Sequence, residues 1–292
     1  MKKITNDRIS QHSYAIITGA SGGLGISFMQ ACVARGYNLF LIDLPGKNLF
    51  NLCDFARRNF PIDVKYLEID LAEEGAAKKV LEVVKSENMR VQMLINNAGM
   101  SQNDLFEDTD EDYLRKLIEL NSIACVSLTK AILPELKKNR KSYIINLSSL
   151  GSFFALPRKS CYAATKGFVR QFSQALRIEV KKYGVNVSVV CPGPVTTNLT
   201  NYMLHKQLNW FSRNMMQSAK KVAEDGIKGA LKGKGIIISG WLNRTLKAAS
   251  SFVPDFLQSR LTLYSMKQLK QERKLVKEVI EAELEEVTSI PA

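Results

Sequence analysis

Tyr162 and Lys166 stand four residues apart in the run Ser160-Cys161-Tyr162-Ala163-Ala164-Thr165-Lys166. On a helix that spacing puts both side chains on one face, where they can share a cleft. A phenol titrates near pH 10 in water, too high for a group that must exchange a proton at neutral pH. A neighbouring ammonium stabilises the phenolate and is expected to lower that value, which makes Tyr162 competent in general acid–base chemistry. The spacing alone carries little weight, because Tyr202 and Lys206 repeat it. Tyr162 differs in its setting: it follows Ser149, at a strand end, by thirteen residues and opens a helix.

A second group of residues suits phosphate binding. Thr18-Gly19-Ala20-Ser21-Gly22-Gly23-Leu24-Gly25 follows the first apolar run and leads into a helical segment. Glycines there permit a tight turn, let backbone N–H groups approach a pyrophosphate, and allow helix to pack closely on strand. The helix N-terminus adds favourable partial charge. The spacing is G-x-x-x-G-x-G. About twenty residues on, the second apolar run ends in Leu41-Ile42-Asp43. A carboxylate at that point can accept two hydrogen bonds from adenosine ribose hydroxyls and repels a 2′-phosphate. No Arg or Lys lies in the glycine turn or directly after Asp43, so NAD(H) is favoured over NADP(H). Lys47 lies close enough to keep NADP(H) open, and an Asp43 that only caps its own turn is the alternative.

The elements that must position these groups follow from periodicity. Strand-length apolar runs recur at Tyr14–Thr18, Asn38–Asp43, Val64–Ile69, Val91–Asn96, Ser142–Ser148, Val185–Cys191 and Ile236–Ser239. Segments with helical period lie between them, among them Gly25–Arg35, Glu73–Ser86, Glu111–Lys137 and Ser160–Lys182. Seven strands separated by helices predict an α/β fold, a doubly wound, Rossmann-like parallel sheet with helices on both faces. One domain over residues 1–240 is expected, with a helical C-terminal extension over 241–292.

Thr18 to Gly25, Asn96-Asn97-Ala98-Gly99, Asn121, Ser149, Tyr162-x-x-x-Lys166 and Pro192-Gly193 occur in the order and context of the short-chain dehydrogenase/reductase family. The resemblance covers about Ser13 to Ser239. It implies hydride transfer between a nicotinamide cofactor and a secondary alcohol or ketone, with Asn121, Ser149, Tyr162 and Lys166 as the catalytic set. In that reading Ser149 holds the substrate oxygen, Lys166 also bonds the nicotinamide ribose, and Asn121 supports a proton relay through water. Gly19, Ser21, Gly22, Gly23, Leu24 and Gly25 would cradle the cofactor. Asp70 and Leu71 would lie beside the adenine, and Asn97, Ala98 and Gly99 near the adenosine ribose. Pro192, Gly193, Val195 and Thr197 would meet the carboxamide or pyrophosphate. The segment from about Asn198 to Ser218 would cover the substrate. Its Leu199, Tyr202, Met203, Leu204, Leu208, Trp210, Phe211, Met215 and Met216 favour a lipophilic one, of steroid, sphingoid or acyl type. Phe153, Phe154 and Leu156 would form the opposite wall. A homodimer or homotetramer is implied.

Composition sets the outer limits. The 292 residues are 46% hydrophobic and 24% charged, which excludes disordered, collagen-like and disulfide-scaffold classes. No run approaches the roughly 18 apolar residues of a membrane span. Lys2 and Lys3 are followed by Thr5, Asn6, Asp7 and Arg8, not an apolar run, so a cytoplasmic protein is expected. Five cysteines without a C-x-x-C pair and two histidines point to buried thiols and no metal. The net charge of +13 is concentrated late: Asn201 to Lys274 carries 14 Lys and Arg against 4 Asp and Glu, and from Leu275 on one Lys meets five Glu. Singly spaced basic residues read as a solvated face, with no nucleic-acid partner. After Gly240, apolar and basic residues mix around Pro254, a pattern that fits helices packed on protein or in peripheral contact with anionic lipid. A non-catalytic dinucleotide sensor or a membrane-surface binding protein on the same fold is the alternative to an enzyme.

Overall fold

A computed structural model describes residues 13–196, 210–250 and 260. Strands β1 Tyr14–Thr18, β2 Asn38–Asp43, β3 Val64–Glu68, β4 Val91–Asn96, β5 Ser142–Leu147 and β6 Val185–Val190 form one sheet with β9 Ile236–Ile237. The seven strands pair in parallel in the order β3-β2-β1-β4-β5-β6-β9. β7 Val195–Thr196 and β8 Gln217–Ser218 form a separate two-residue ladder. Helices α1 Gly23–Val33, α2 Leu49–Asn59, α3 Ala76–Ser86, α4 Glu111–Ile118, α5 Ala124–Lys137, α6 Ser160–Val180, α7 Trp210–Met215, α8 Ala219–Leu231 and α9 Trp241–Ser250 complete the described elements.

Successive strand residues serve opposite cores, as the two-residue period requires. Ala15, Ile17, Leu39, Leu41, Met93 and Ile95 join α1, α2 and α8 on one face. Ile16, Phe40, Ile42, Leu94 and Ile144 join α3, α5 and α6 on the other. With both faces covered, the central strands carry unbroken apolar runs. A buried polar chain crosses the second core: the Asn96 amide donates to Thr129 Oγ1 (3.0 Å) and to Asn146 Oδ1 (2.8 Å), and Asn146 donates to Ser173 Oγ (2.9 Å). It ties β4 and β5 to α5 and α6 and fixes where α6 lies along the sheet.

The order of the strands locates the cleft. From β1 the chain runs outward through β2 to β3, then returns to add β4 on the other side of β1. Ligands in open parallel sheets bind beyond the carboxyl ends of the strands where the order reverses.

Two expectations need correction. The last strand is two residues, Ile236–Ile237, because it pairs only with Val189 and Val190. The continuous helix expected over Glu111–Lys137 is interrupted by a π-helical segment, Glu119–Ile123, between α4 and α5. That stretch is long and apolar enough by composition to cross a membrane, yet Leu128, Thr129, Ile132 and Leu136 are buried against the sheet. Of the C-terminal extension, Trp241–Ser250 is helical; its continuation, most of the expected substrate cover and Thr197 lie outside the described residues.

Candidate active site

The glycine turn closes the cleft at β1. Gly19 takes φ +63, and a side chain there would put its Cβ 2.9 Å from Ala98 Cα. Gly25 is tighter: its Cβ would stand 2.1 Å from the Gly19 carbonyl oxygen. Asn97 secures the turn from β4, donating its amide to the carbonyls of Thr18 (2.9 Å) and Gly19 (3.0 Å). Thr18 Oγ1 in return accepts the N–H groups of Asn97 and Ala98, both at 2.9 Å. α1 then starts at an exposed N-cap, Gly22, with no capping side chain and no acidic residue in its first turn. Uncapped amides at a helix N-terminus, with Gly22 and Gly23 leaving the approach clear, fit a pyrophosphate.

Asp43 has more structural duty than its position at the end of β2 suggested. Oδ2 accepts from Ser21 N (2.8 Å) and Ser21 Oγ (2.5 Å), and Oδ1 accepts from Leu44 N (2.8 Å). The carboxylate therefore both caps its own turn and ties the glycine turn to β2. Three of its roughly four lone-pair sites are used, which leaves room for one ribose hydroxyl where two were expected. Asp70, expected beside the adenine, binds Lys116 Nζ at 2.8 Å and accepts from Ala72 N at 3.0 Å. Burial raises its pKa, but the Lys116 ammonium and the Ala72 amide outweigh that and hold it low. Leu71 is buried behind it.

Asn121, Ser149, Tyr162 and Lys166 do converge. Gly99 marks the meeting point: a Cβ there would lie 2.8 Å from Asn121 Oδ1 and 3.2 Å from Lys166 Nζ. Asn121 comes from the π segment and is 2% exposed. Its Oδ1 accepts from Met100 N (2.8 Å), while Nδ2 donates to Met100 O (3.0 Å) and Thr165 Oγ1 (3.2 Å). The amide is thus fastened to Met100 and Thr165, with one acceptor site of Oδ1 still open. Lys166 Nζ donates to Leu147 O at 3.0 Å and lies 5.9 Å from the centroid of the Tyr162 ring. Ser149 Oγ accepts from Gly151 N (3.1 Å), and Ser149 stands near enough to the Tyr162 phenol to lower its pKa.

The electrostatics differ from the expected pattern. Burial pushes the Tyr162 phenol above its ordinary value, and only the Ser149 hydrogen bond opposes this. The lowering expected from Lys166 is absent: its Nζ is turned to Leu147 O, 5.9 Å from the centre of the Tyr162 ring, and burial holds its own pKa at about 8. At neutral pH Tyr162 therefore keeps its proton.

At the far end of the cleft, Pro192 accepts Leu150 N at 2.7 Å, joining the turns after β5 and β6. Gly193 lies under Asn243 of α9, whose amide nitrogen would be 2.7 Å from a Cβ at that glycine. Val195 pairs with Gln217. Phe154 and Leu156 line a hollow of about 510 Å³ with Ser160, Ala163, Ala164 and Gly167. Those positions recur at i, i+3, i+4 and i+7, a stripe of α6 turned away from Tyr162 and Lys166. Phe153 instead lies 4.6 Å from the Arg170 guanidinium and 5.8 Å from Lys247 Nζ. Among the described residues, no cluster of His, Cys, Asp and Glu could hold a metal ion.

Comparison with known proteins agrees with this arrangement. A family model described as short chain dehydrogenase matches residues 13–208. Human "Dehydrogenase/reductase SDR family member 7" is 34% identical over 192 residues, 64% of this chain and 57% of that protein. The chain thus spans little more than half the length of that relative. A "Very-long-chain 3-oxoacyl-CoA reductase" from Bos taurus is 29% identical over 86% of this chain and 79% of its own. Among solved structures, a short-chain dehydrogenase from Sphingobium yanoikuyae in complex with NADPH aligns with TM-score 0.68 and 26% identity, over 77% of this chain and 87% of that one. A 7beta-hydroxysteroid dehydrogenase aligns with TM-score 0.76 at 18% identity, over 86% and 96%, a likeness of fold.

Proposed function

Because the chain belongs to the short-chain dehydrogenase/reductase family, we propose that it reduces a ketone to a secondary alcohol, with Tyr162 as the proton donor. The observation that carries this reading is the meeting of Tyr162, Ser149 and Lys166 at the carboxyl ends of the strands, beside a turn shaped for a dinucleotide. When bound there, a nicotinamide cofactor supplies the hydride. The protein's share is to hold the carbonyl and deliver the proton. Ser149 and Tyr162, neighbours in the cleft, present two hydroxyls to one substrate oxygen. Burial keeps the Tyr162 proton on the phenol until negative charge develops on that oxygen, which favours reduction at neutral pH. Lys166 gives the donor site its positive charge and would donate to the nicotinamide ribose. A committed proton donor beside the cofactor cleft supports an enzyme over a dinucleotide sensor.

A lipophilic ketone is the favoured substrate class. The names of the bovine acyl-CoA reductase and the hydroxysteroid dehydrogenase support it, as does the apolar composition of the substrate cover. NAD(H) is favoured through Asp43, although the Sphingobium neighbour holds NADPH. One experiment tests both points: turnover of steroid, sphingoid, acyl-thioester and small ketones with NADH and NADPH, in the wild type and in Asp43→Ala. NADH is expected to be preferred. Asp43→Ala should weaken NADH binding tenfold or more, since hydrogen bonds to charged groups contribute roughly 1.5–3 kcal/mol. NADPH binding should fall less, because a repulsive charge leaves along with the bond. Tighter NADPH binding by the wild type would reject the preference, and no turnover of any ketone would reject the reaction.

Lys166 adds a pH dependence. Its ammonium is held to a pKa of about 8 by burial, so the charge is present below that pH and is lost above it. A cofactor that accepts a bond from the charged form should bind most tightly below pH 8 and more weakly above. Fluorescence titration is expected to show affinity falling by about tenfold between pH 7 and pH 9.5. Lys166→Met should bind weakly with a flat profile. A pH-dependent Lys166→Met would assign the titration to another group.

A further inference from the structure

We propose that Gln102, in the loop after β4, is a positioning residue that holds the first turn of α6 in place for Tyr162. The inference rests on Tyr162 being the proton donor. It starts from a defect in the helix. α6 begins at Ser160, and its N-cap is Lys159, which makes no capping hydrogen bond. The first amides of a helix have no partner within it, and Ser, Thr, Asp or Asn at the N-cap ordinarily accepts from them. Lysine has donors only. Tyr162 stands third in this helix, inside the turn that needs the cap.

Gln102 supplies the missing acceptor from about sixty residues away. It is 1% exposed, a buried amide that must be bonded. Its Oε1 accepts the N–H of Cys161 at 3.0 Å and faces that of Tyr162 at 3.5 Å. Its Nε2 points the other way, toward Asp104 O (3.5 Å) and Thr109 Oγ1 (3.4 Å), which orients the oxygen to the helix. The residues beside it are fastened as well. Met100 exchanges two hydrogen bonds with Asn121, and Lys159 Nζ donates to Ser101 Oγ (3.2 Å) and Asn103 Oδ1 (2.7 Å). Met100–Asn103 is therefore one strap, bonded to Asn121 at one end and to the start of α6 at the other. Through Gln102 the phenol is registered against the π segment rather than left to a fraying helix end.

The test compares Gln102→Leu, which keeps the volume and removes the acceptor, with Gln102→Glu, which keeps it. kcat, KM, cofactor affinity and melting temperature are measured well below the lowest midpoint. Gln102→Leu is expected to lose kcat by about 10- to 100-fold, the scale of a misplaced catalytic group, with cofactor affinity nearly unchanged. Gln102→Glu should keep kcat within about tenfold. The double variant Gln102→Leu with Lys159→Ser places a local acceptor at the N-cap for the same two amides, and should recover most of the lost rate. That double variant also decides the matter if Gln102→Leu alone does not fold. Equal losses in the Leu and Glu variants, no rescue by Lys159→Ser, or a wild-type kcat with only a lowered melting temperature would each overturn the proposal. Tyr162→Phe runs alongside: a rate retained there overturns the donor assignment and this inference with it. A dead Tyr162→Phe beside a fully active Gln102→Leu overturns the positioning role alone.

Discussion

Tyr162→Phe is expected to lower turnover by about 10²–10⁴-fold while leaving cofactor affinity within about twofold. Only the hydroxyl is removed. The ring stays in its half-buried site, Ser149 keeps its bond from Gly151, and the glycine turn across the cleft is untouched. The loss is large because no other described group can replace the proton. Ser149 is a poor acid, and Lys166 is turned to Leu147 O. The burial that raises the phenol also predicts how the reverse reaction behaves. Oxidation needs Tyr162 ionised, so its rate should climb with pH through the alkaline range, where the reductive rate does not. Steady-state kcat in both directions checks this, with calorimetric titration of the cofactor. A variant that kept more than about a tenth of the wild-type rate would remove Tyr162 from the chemistry.

Gly25→Ala is expected to abolish measurable cofactor binding and to destabilise the fold. The added methyl would meet backbone on three sides, at Gly19 O (2.1 Å), Ala20 Cα (2.8 Å) and Ala20 C (2.9 Å). No rotamer change relieves a contact between a Cβ and the main chain, so α1 must move away from β1. Overpacking costs roughly 1–3 kcal/mol, or more where backbone must shift. For a protein of this size that lowers the melting temperature by about 5–10 °C. Gly22→Ala is the control. Its φ of −71 suits any residue and its Cβ would meet only Gly19 O at 3.5 Å. It should fold like the wild type yet bind cofactor more weakly, because the methyl stands in front of the α1 amides. If both variants melted and bound alike, the turn would not be shaped as described.

How far the amino-acid sequence carried the account depends on the range of each interaction. The strands were readable because burial on both faces leaves a local signature, as in Ile16, Ile17, Leu39, Phe40, Leu41 and Ile42. The meeting of Asn121 and Lys166 at Gly99 was readable only because several motifs occurred together in order. What failed to appear was tertiary. The Ser21 bonds to Asp43 join residues 22 apart in sequence, and the Gln102 cap joins residues about 60 apart. Neither has a periodicity or a neighbour to announce it. The Tyr162 pKa went the wrong way for the same reason: a charge four residues away can be seen in a sequence, whereas the burial of the phenol that outweighs it cannot. The break at Glu119–Ile123 was hidden because a π segment keeps helical hydropathy.

That segment has a consequence for chain length. A π turn holds one residue more than the α turn it replaces, so α4 and α5 can keep their faces on the sheet while Asn121 is offered to the cleft. Deleting one residue between Glu119 and Ile123 would let the ladder close as a plain α-helix. The apolar stripe of α5 would still find its groove, and the shorter helix would be the more regular one. Asn121 would lose its approach to Met100, and the strap at Gln102 would lose its anchor. Such a deletion is expected to spare the strands, the core and the glycines while withdrawing Asn121 from the cleft, so a descendant of this chain could shed its chemistry by a change of length alone.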